Sequence, residues 1–250
     1  MAGEVILKVA KLNKAFGGLQ ATDNVSYEMM TGELSAIIGP NGAGKSTFFN
    51  LITGYHAVDS GKVFFKDRDI TNWPPHKIAR LGIARAFQIS NIYPRLTTYE
   101  NVRQAILAQQ KRTLNFFTPA SRLAKKETME LLEITGLSQQ AHMVAGNLAQ
   151  GDKKRLELAI ALGSKPELVF LDEPTAGMSG EETHETMELV KRLNREIGLT
   201  ILFTEHDMSV VFGYALRLTV LHQGAIIAEG TPEEVRDNEE AQRVYLGEEA

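Results

Sequence analysis

The distribution of apolar and polar positions divides the chain into a strand-rich beginning, a helical middle and an alternating end. In the first third, "EVILKVAKL" at 4–12 and "NVSYEMM" at 24–30 alternate in part and carry β-branched residues, as half-buried strands do. "SAIIG" at 35–39 is a short continuous apolar run, typical of a strand buried on both faces. "KVFFKDRDI" at 62–70 follows a turn. These segments predict a small antiparallel region beside one core strand.

The middle of the chain has the periodicity of helices. "TYENVRQAILAQQ" at 98–110 and "KKETMELLEITGL" at 125–137 carry apolar residues three and four positions apart. We therefore expect an all-helical region from about residue 90 to residue 165.

The last third alternates between buried strands and helices. "ELVFLDEP" at 167–174 and "LTILFTEHD" at 199–207 predict strands, and between them a capped amphipathic helix should end at Gly198. "RLTVLHQGAIIAEG" at 217–230 predicts a hairpin that turns at Gln223 and Gly224.

Alternating strands and helices predict an α/β fold with a mainly parallel core sheet covered by helices. An antiparallel β region precedes it, and an all-helical subdomain is inserted between two core strands. We expect one domain over 1–250, with a core formed by 1–89 and 166–250 and a helical subdomain formed by 90–165.

Composition narrows the setting of this fold. The 250 residues carry a formal net charge of −4, which gives no indication of nucleic-acid binding, and they include no cysteine. No apolar run approaches the roughly 20 residues that span a bilayer. The N-terminus lacks the order of a signal peptide. We expect a cytosolic protein that reaches a membrane only through a partner.

The segment "GPNGAGKST" at 39–47 is a candidate phosphate-binding loop, because it matches G-x-x-x-x-G-K-[ST] between a predicted strand and a predicted helix. Its glycines allow backbone N–H groups to converge on phosphate oxygens, and the helix start adds partial positive charge. Lys45 would neutralise the terminal phosphates and the Ser46 hydroxyl would bind Mg²⁺. The loop consists of Gly39, Pro40, Asn41, Gly42, Ala43, Gly44, Lys45, Ser46 and Thr47. The simpler alternative is a glycine-rich turn without a ligand.

Polar side chains follow three predicted strands, where ligands collect in open α/β sheets. Asp172 would hold Mg²⁺ through its water shell, and Glu173 would polarise the attacking water. His206 would contact the γ-phosphate region. Gln88, at the end of "GIARAFQ", would reach both Mg²⁺ and the water. The alternatives are a turn cap for the acids, a structural histidine and an exposed strand end.

These residues, in this order, resemble the ATP-binding subunits of ABC transporters over the whole chain. The resemblance implies a P-loop NTPase fold of the ABC cassette type, ATP and Mg²⁺ as cofactors, and ATP hydrolysis. It also implies that Phe16, which lies 23 residues before the loop, stacks on adenine. The alternative is that Phe16 is a core residue at a strand end. Tyr27 is a weaker candidate for the stacking role.

The resemblance identifies "LAQGD" as the signature loop, which faces the ATP of a second cassette arranged head to tail. Its residues are Leu148, Ala149, Gln150, Gly151 and Asp152. The usual family form is L-S-G-G-Q. Ala149 lacks the serine hydroxyl, whose hydrogen bond to a charged phosphate is worth about 1.5–3 kcal/mol. Basic residues at 153–155 would offset the charge of Asp152, or else form a solvated helix face.

The resemblance also implies partners. One is a second ABC ATPase, either an identical chain or a related one. Integral membrane permease subunits would contact the segment after Gln88, through Ile92 and Tyr93, unless burial under the helical subdomain hides these residues. A solute-binding protein would act indirectly, and no nucleic acid is expected. The chain would lie on the inner face of the cell membrane.

Details such as "GIARAFQ", "NLAQGD", "AGM" and the ending "VYLGEEA" are similar to the ATPases of branched-chain amino-acid uptake systems. ATPases of urea, lipopolysaccharide or other transport systems are the alternative. A non-transport ABC ATPase and a non-catalytic nucleotide-binding regulator are rivals from other classes. The absent cysteines and coiled-coil insert disfavour the first rival, and the intact Lys45, Asp172, Glu173 and His206 disfavour the second.

Overall fold

The structure is a computed structural model that describes residues 3–86, 92–110 and 124–246. In these ranges the strands are β1 Val5–Phe16, β2 Leu19–Met30, β3 Leu34–Ile38, β4 Ser60–Phe65, β5 Arg68–Asp69, β6 Ile83–Ala86, β7 Leu168–Asp172, β8 Thr200–Thr204, β9 Arg217–His222 and β10 Ala225–Gly230. The helices are α1 Lys45–Ile52, α2 Pro75–Leu81, α3 Thr98–Gln109, α4 Lys125–Ile134, α5 Gln150–Gly163, α6 Gly180–Ile197, α7 Met208–Tyr214, α8 Pro232–Arg236 and α9 Glu239–Leu246. None of the described helices has the length and apolarity that crossing a bilayer requires.

The strands form two sheets. The larger has the order β10-β9-β3-β8-β7-β6, and its strands are parallel except for the antiparallel β9–β10 pair. The smaller is antiparallel, with the order β2-β1-β4-β5. The predicted α/β class, with a mainly parallel core sheet and an antiparallel N-terminal region, is confirmed.

The central strands are buried on both faces, which explains their continuous apolar sequences. All five residues of β3, of β7 and of β8 are buried. Along β7 the side chains alternate between two cores: Val169 and Leu171 pack with α5, α6 and α7, whereas Leu168 and Phe170 pack with α1 and the smaller sheet. The sheet therefore lies between two apolar layers.

A third core belongs to the helices α3, α4 and α5, which follow β6 and precede β7. Val102, Ile106, Leu132 and Leu156 lie at its centre and are fully buried or nearly so. The predicted boundary between residues 89 and 90 lies outside the described residues. The end predicted at 165 falls in the connection between α5 and β7.

The helix α6 illustrates how local sequence sets element ends. The Ser179 hydroxyl accepts from the Glu182 backbone, and the Glu182 carboxylate accepts from the Ser179 backbone at 2.9 Å, which forms a capping box. At the other end Gly198 has a φ of 68°, the left-handed conformation that glycine adopts at low cost. The helix therefore ends at Gly198, as the sequence predicts.

The β9–β10 hairpin supports the loop that follows β3. The Gly224 N–H donates to the Ala43 carbonyl at 2.9 Å, and the Gly224 carbonyl accepts from the Asp23 N–H at 2.7 Å. Gly224 has a φ of 82°, and a Cβ added there would lie 3.1 Å from backbone atoms of Ala21 and Thr22. Both the backbone conformation and the close approach require glycine at this turn.

We predict that Gly224→Ala lowers the free energy of unfolding by about 1–3 kcal/mol more than Gly198→Ala, because only Gly224 adds a tight backbone contact to the strain of a positive φ. Gly198 is the matched control, since it has a similar φ of 68° and nothing within 4 Å of an added Cβ. Urea denaturation of both variants measures the difference. Equal losses would show that the contact with Ala21 contributes nothing.

Candidate active site

The loop between β3 and α1 surrounds the lysine that the sequence singles out. The Lys45 ammonium donates to the Gly39 carbonyl and, at 3.2 Å, to the Pro40 carbonyl. Burial lowers the pKa of Lys45, while the nearby charges of Glu173 and Asp172 act to raise it. Gly44 has a φ of 107°, and a Cβ there would lie 2.3 Å from the Ala21 carbonyl. The loop curls over its own lysine, with Ser46 exposed at the start of α1.

The parallel register brings the predicted acidic and imidazole residues to one edge of the sheet. Ile37 of β3 pairs with Thr204 of β8, and Thr204 pairs in turn with Asp172 of β7. The carboxyl ends of the three strands are therefore level. Glu173 and His206 follow β7 and β8 at this edge, beside the loop that leaves β3.

Asp172 is a buried carboxylate with two defined partners. The Thr204 hydroxyl donates to Oδ1 at 2.7 Å, and the Arg85 guanidinium donates to Oδ2 at 2.8 Å. Arg85 also donates to the Asn50 side chain of α1 at 2.6 Å. The guanidinium compensates for the charge of the carboxylate, and each carboxylate oxygen keeps a further lone pair for another donor.

Glu173 and His206 are in contact. The imidazole Nε2 lies 2.9 Å from Glu173 Oε1, and the two side chains are 47% and 42% exposed, respectively. The pair therefore faces solvent at the strand edge and lies within reach of a ligand. A carboxylate oriented by an imidazole has the form of a general base with its positioning partner.

The backbone of Glu173 is held in an uncommon conformation. Its φ is 52°, in the left-handed region that is costly for a residue with a side chain. Its N–H donates to the Thr204 carbonyl at 3.1 Å and to the Thr204 hydroxyl at 3.2 Å. Its carbonyl accepts from the Lys154 ammonium of α5 at 2.8 Å. Strain of this kind is typical of functional sites.

Two aromatic residues considered for adenine stacking differ in accessibility. Phe16 ends β1 and is 41% exposed; its ring makes an edge contact with His56 at 5.3 Å. Tyr27 is buried, where it packs edge-on against Phe48 and beneath the Arg217 guanidinium. Tyr27 is therefore a core residue and is unavailable to a nucleotide.

The segment "LAQGD" is mostly the first turn of a helix and not the loop that the sequence suggests. The helix α5 begins at Gln150, and Ala149 occupies the position before it without a side-chain cap. Leu148 and Gly151 are buried, whereas Ala149 and Gln150 are exposed. The first N–H groups of a helix have no intrahelical partner, and such groups can bind an anion.

Two of the three basic residues after "LAQGD" do not belong to the solvated face considered for them, and the third, Lys153, is half-buried. Lys154 is only 8% exposed and bonds to the Glu173 backbone, and Arg155 forms an ion pair with Glu185 of α6. Neither is directed at an anion in front of Asp152. Both instead join α5 to the segment that follows β7.

Gln88 lies outside the described residues. Of the apolar pair that follows it, Tyr93 is 60% exposed, whereas Ile92 is half-buried and packs against the helical core. The expectation of an exposed apolar pair is therefore wrong for Ile92, because α3 and its neighbours cover it.

Sequence reasoning missed four residues of this site. Three of them, Arg85, Thr204 and Glu205, lie inside or directly after apolar strands, where the sequence alone suggests no role for them. Lys154 has the pattern of a charged residue on a helix surface. Glu205 is buried and accepts from the Thr175 hydroxyl at 2.6 Å. The one available signal was the position of charged residues within apolar segments, where burial demands a partner.

The glycine-rich loop surrounds a buried lysine and joins a parallel strand to a helix. The acidic end of a neighbouring strand lies beside it. This combination defines a P-loop nucleotide-binding protein. A family model described as "ABC transporter" matches residues 22–176, and one described as "Branched-chain amino acid ATP-binding cassette transporter" matches residues 225–250. The chain belongs to the ABC transporter family.

Full-length relatives and solved structures agree with this assignment. The chain is 42% identical to the high-affinity branched-chain amino acid transport ATP-binding protein LivG of Salmonella typhimurium, over 97% of this chain and 98% of the relative. It is 39% identical to the corresponding protein BraF of Pseudomonas aeruginosa, with the same coverage. The ADP conformation of MJ1267, an ATP-binding cassette of an ABC transporter, superposes with a TM-score of 0.86 at 33% identity, covering 97% of this chain and 99% of that one.

A dimeric cassette, MJ0796 in a post-hydrolysis state bound to ADP and Pi, superposes with a TM-score of 0.77 at 26% identity and covers 91% of this chain and 99% of that one. The fold found here is therefore one that forms dimers with bound nucleotide in a relative.

We predict that Arg85→Met lowers the free energy of unfolding by about 3–5 kcal/mol, because it leaves the buried Asp172 carboxylate without its charged partner. Both side chains of this pair are less than 10% exposed. Lys62→Met is the matched control, since it breaks an exposed ion pair with Asp69 and should change stability by less than about 1 kcal/mol. Urea denaturation compares the two; similar losses would contradict the role assigned to Arg85.

Proposed function

We propose that this chain is the ATP-hydrolysing subunit of an ABC transporter that takes up branched-chain amino acids. The contact between Glu173 and His206, on the sheet edge that carries the phosphate loop, is the observation that supports hydrolysis and not binding alone. The solute class rests on the full-length similarity to LivG and BraF. The alternative is an ATPase of another transport system, such as one for urea or lipopolysaccharide, and the stimulation experiment below tests urea directly.

In this proposal the nucleotide lies between the smaller sheet and the phosphate loop. Phe16 stacks on the adenine with its exposed ring. The loop from Gly39 to Thr47 presents backbone N–H groups to the phosphates, and the N-terminus of α1 adds partial positive charge. Lys45, now bonded to loop carbonyls, exchanges these partners for phosphate oxygens, since an ammonium group is better compensated by an anion than by neutral carbonyls.

The residues at the loop suit Mg²⁺, which prefers oxygen ligands. The Ser46 hydroxyl is exposed at the start of α1, and Asp172 retains unused lone pairs. Among the described residues no three acidic or imidazole side chains cluster as a metal site, so phosphate oxygens and water would complete the coordination. When bound, Mg²⁺ would supply positive charge that neutralises the phosphates. Ser46, Asp172 and Gln88 would hold it.

Glu173 accepts a proton from the attacking water. A carboxylate suits this task because it becomes neutral on protonation and adds no positive charge beside the metal. His206 holds the carboxylate through its 2.9 Å contact and would reach the γ-phosphate region. Gln88 would orient the same water.

The partners follow from the incomplete site. A second cassette, identical or related, would present its signature residues Leu148 to Asp152, or their equivalents, to the ATP held by this chain. Permease subunits would contact the surface that includes Tyr93 and hold the protein at the inner face of the cell membrane. The exposed Tyr93 ring supports an apolar contact there. A solute-binding protein would act through the permease.

We predict that Glu173→Gln lowers the rate of ATP hydrolysis by about 10²–10⁴-fold, because an amide cannot accept the proton of water. ATP binding should be retained, since the substitution leaves the phosphate loop intact. Glu196→Gln, an exposed change at the end of α6, is the control and should match the wild type. Phosphate release and fluorescent-nucleotide binding measure the two properties. Wild-type turnover in Glu173→Gln would refute the assignment.

We predict that branched-chain amino acids stimulate the ATPase of the intact transporter. The chain is purified with its permease and binding-protein partners, and hydrolysis is measured with leucine, isoleucine, valine, urea or nucleic acid added. Stimulation by the three amino acids and not by urea is expected, with the Glu173→Gln complex as background. Stimulation by urea alone would reassign the solute, and stimulation by nucleic acid would favour a non-transport ABC ATPase.

A further inference from the structure

The helix α5 contacts the residue proposed as the general base through a buried lysine. Lys154 lies one turn into the helix that begins at Gln150, and its ammonium donates to the Glu173 carbonyl at 2.8 Å. Only 8% of Lys154 is exposed. The bond therefore joins the helical part of the molecule to the strand edge that carries the candidate chemistry.

Burying an ammonium group costs free energy, because the charge loses its hydration. Burial lowers the pKa of Lys154, and the surrounding charges of Glu205, Glu157 and Glu173 act to raise it. A leucine or methionine of similar volume would pack without the cost of removing a charge from water. The carboxylates around Lys154 thus oppose part of the effect of burial, at a position where packing alone would favour an apolar side chain.

Both peptide groups of Glu173 are held, and by different parts of the fold. The N–H is bound by Thr204 of β8, and the carbonyl is bound by Lys154 of α5. Between them the residue keeps a φ of 52°. A non-glycine residue leaves this region when its surroundings allow, because the conformation is costly. Loss of either anchor would let the backbone relax and carry the carboxylate away from His206.

Two other residues of α5, Gly151 and Arg155, contact α6. A Cβ added to Gly151 would lie 3.2 Å from the Glu182 carboxylate, so the start of α5 packs closely on the start of α6. Arg155 pairs with Glu185 one turn further along α6. These contacts dock α5 onto the segment after β7, but among these three α5 residues Lys154 is the one that bonds to Glu173 itself.

We propose that Lys154 is a positioning residue for hydrolysis, which holds the Glu173 backbone so that the carboxylate stays beside His206. The inference rests on the proposed ATPase function. It assigns to the helix behind the signature segment a task within its own chain, separate from any contact with a second cassette. In this role Lys154 acts through Glu173, to whose carbonyl it donates.

The test compares Lys154→Met with Lys154→Gln in the transporter complex. Lys154→Met removes the donor and keeps the volume; kcat for ATP hydrolysis should fall about 10–100-fold, as expected for a misplaced general base, with KM for ATP within about twofold of wild type. Lys154→Gln retains an N–H donor and should recover most of kcat. Thermal melting confirms that both variants are folded.

Arg192→Met is the matched control. Arg192 of α6 also joins the helical part of the molecule to the rest, because it donates to the backbone carbonyl of Ile134 in α4 at 2.6 Å. It lies in the second half of α6, away from the end that follows Glu173. It should leave kcat unchanged. Equal losses in Lys154→Met and Arg192→Met would show general docking and overturn the proposal, as would wild-type kcat in Lys154→Met or equal losses in the Met and Gln variants. A wild-type complex without ATPase activity would instead refute the proposed function.

Discussion

The parallel pairing of β3, β8 and β7 is the constraint on which the rest of the site depends. It sets Ile37, Thr204 and Asp172 level, so the phosphate loop and the acidic strand end meet without any long side chain reaching across. A shift of one residue in β7 would turn Asp172 to the opposite face of the sheet. The Thr204–Asp172 hydrogen bond and the apolar layers on both faces disfavour such a shift.

The same edge also joins parts of the protein that have separate cores. The core around α3, α4 and α5 is distinct from the two cores that cover the sheet. The segment after β7 lies between them, held by Glu205 on one side and by α5 on the other. In the head-to-tail pair that we propose, the start of α5 would face a nucleotide bound by the partner. Movement of that helix would then shift Glu173 of the same chain through the Lys154 hydrogen bond.

Much of this arrangement follows from sequence because its elements are strongly patterned. The continuous apolar strands, the capped helix α6 and the turn at Gln223 and Gly224 each have a local cause, and each is present. Residues whose importance depends on tertiary contacts could not be found in this way. Lys154 is identical in type to Lys153 beside it, and only the packing of α5 on the sheet edge buries one of them.

The departures in the signature segment have a structural reading. Three helices, α3, α6 and α8, begin with capping boxes in which side chains bond to the first N–H groups. The helix α5 has no such cap, because Ala149 has no hydroxyl or carboxylate to offer. An uncapped start alone does not identify an anion site, since α2 and α4 also lack one. At α5, however, it coincides with the segment that resembles a nucleotide-facing signature. In the proposed pair of cassettes, first-turn N–H groups without a side-chain cap would bind a partner's phosphates and replace part of what the serine hydroxyl supplies in the usual family form.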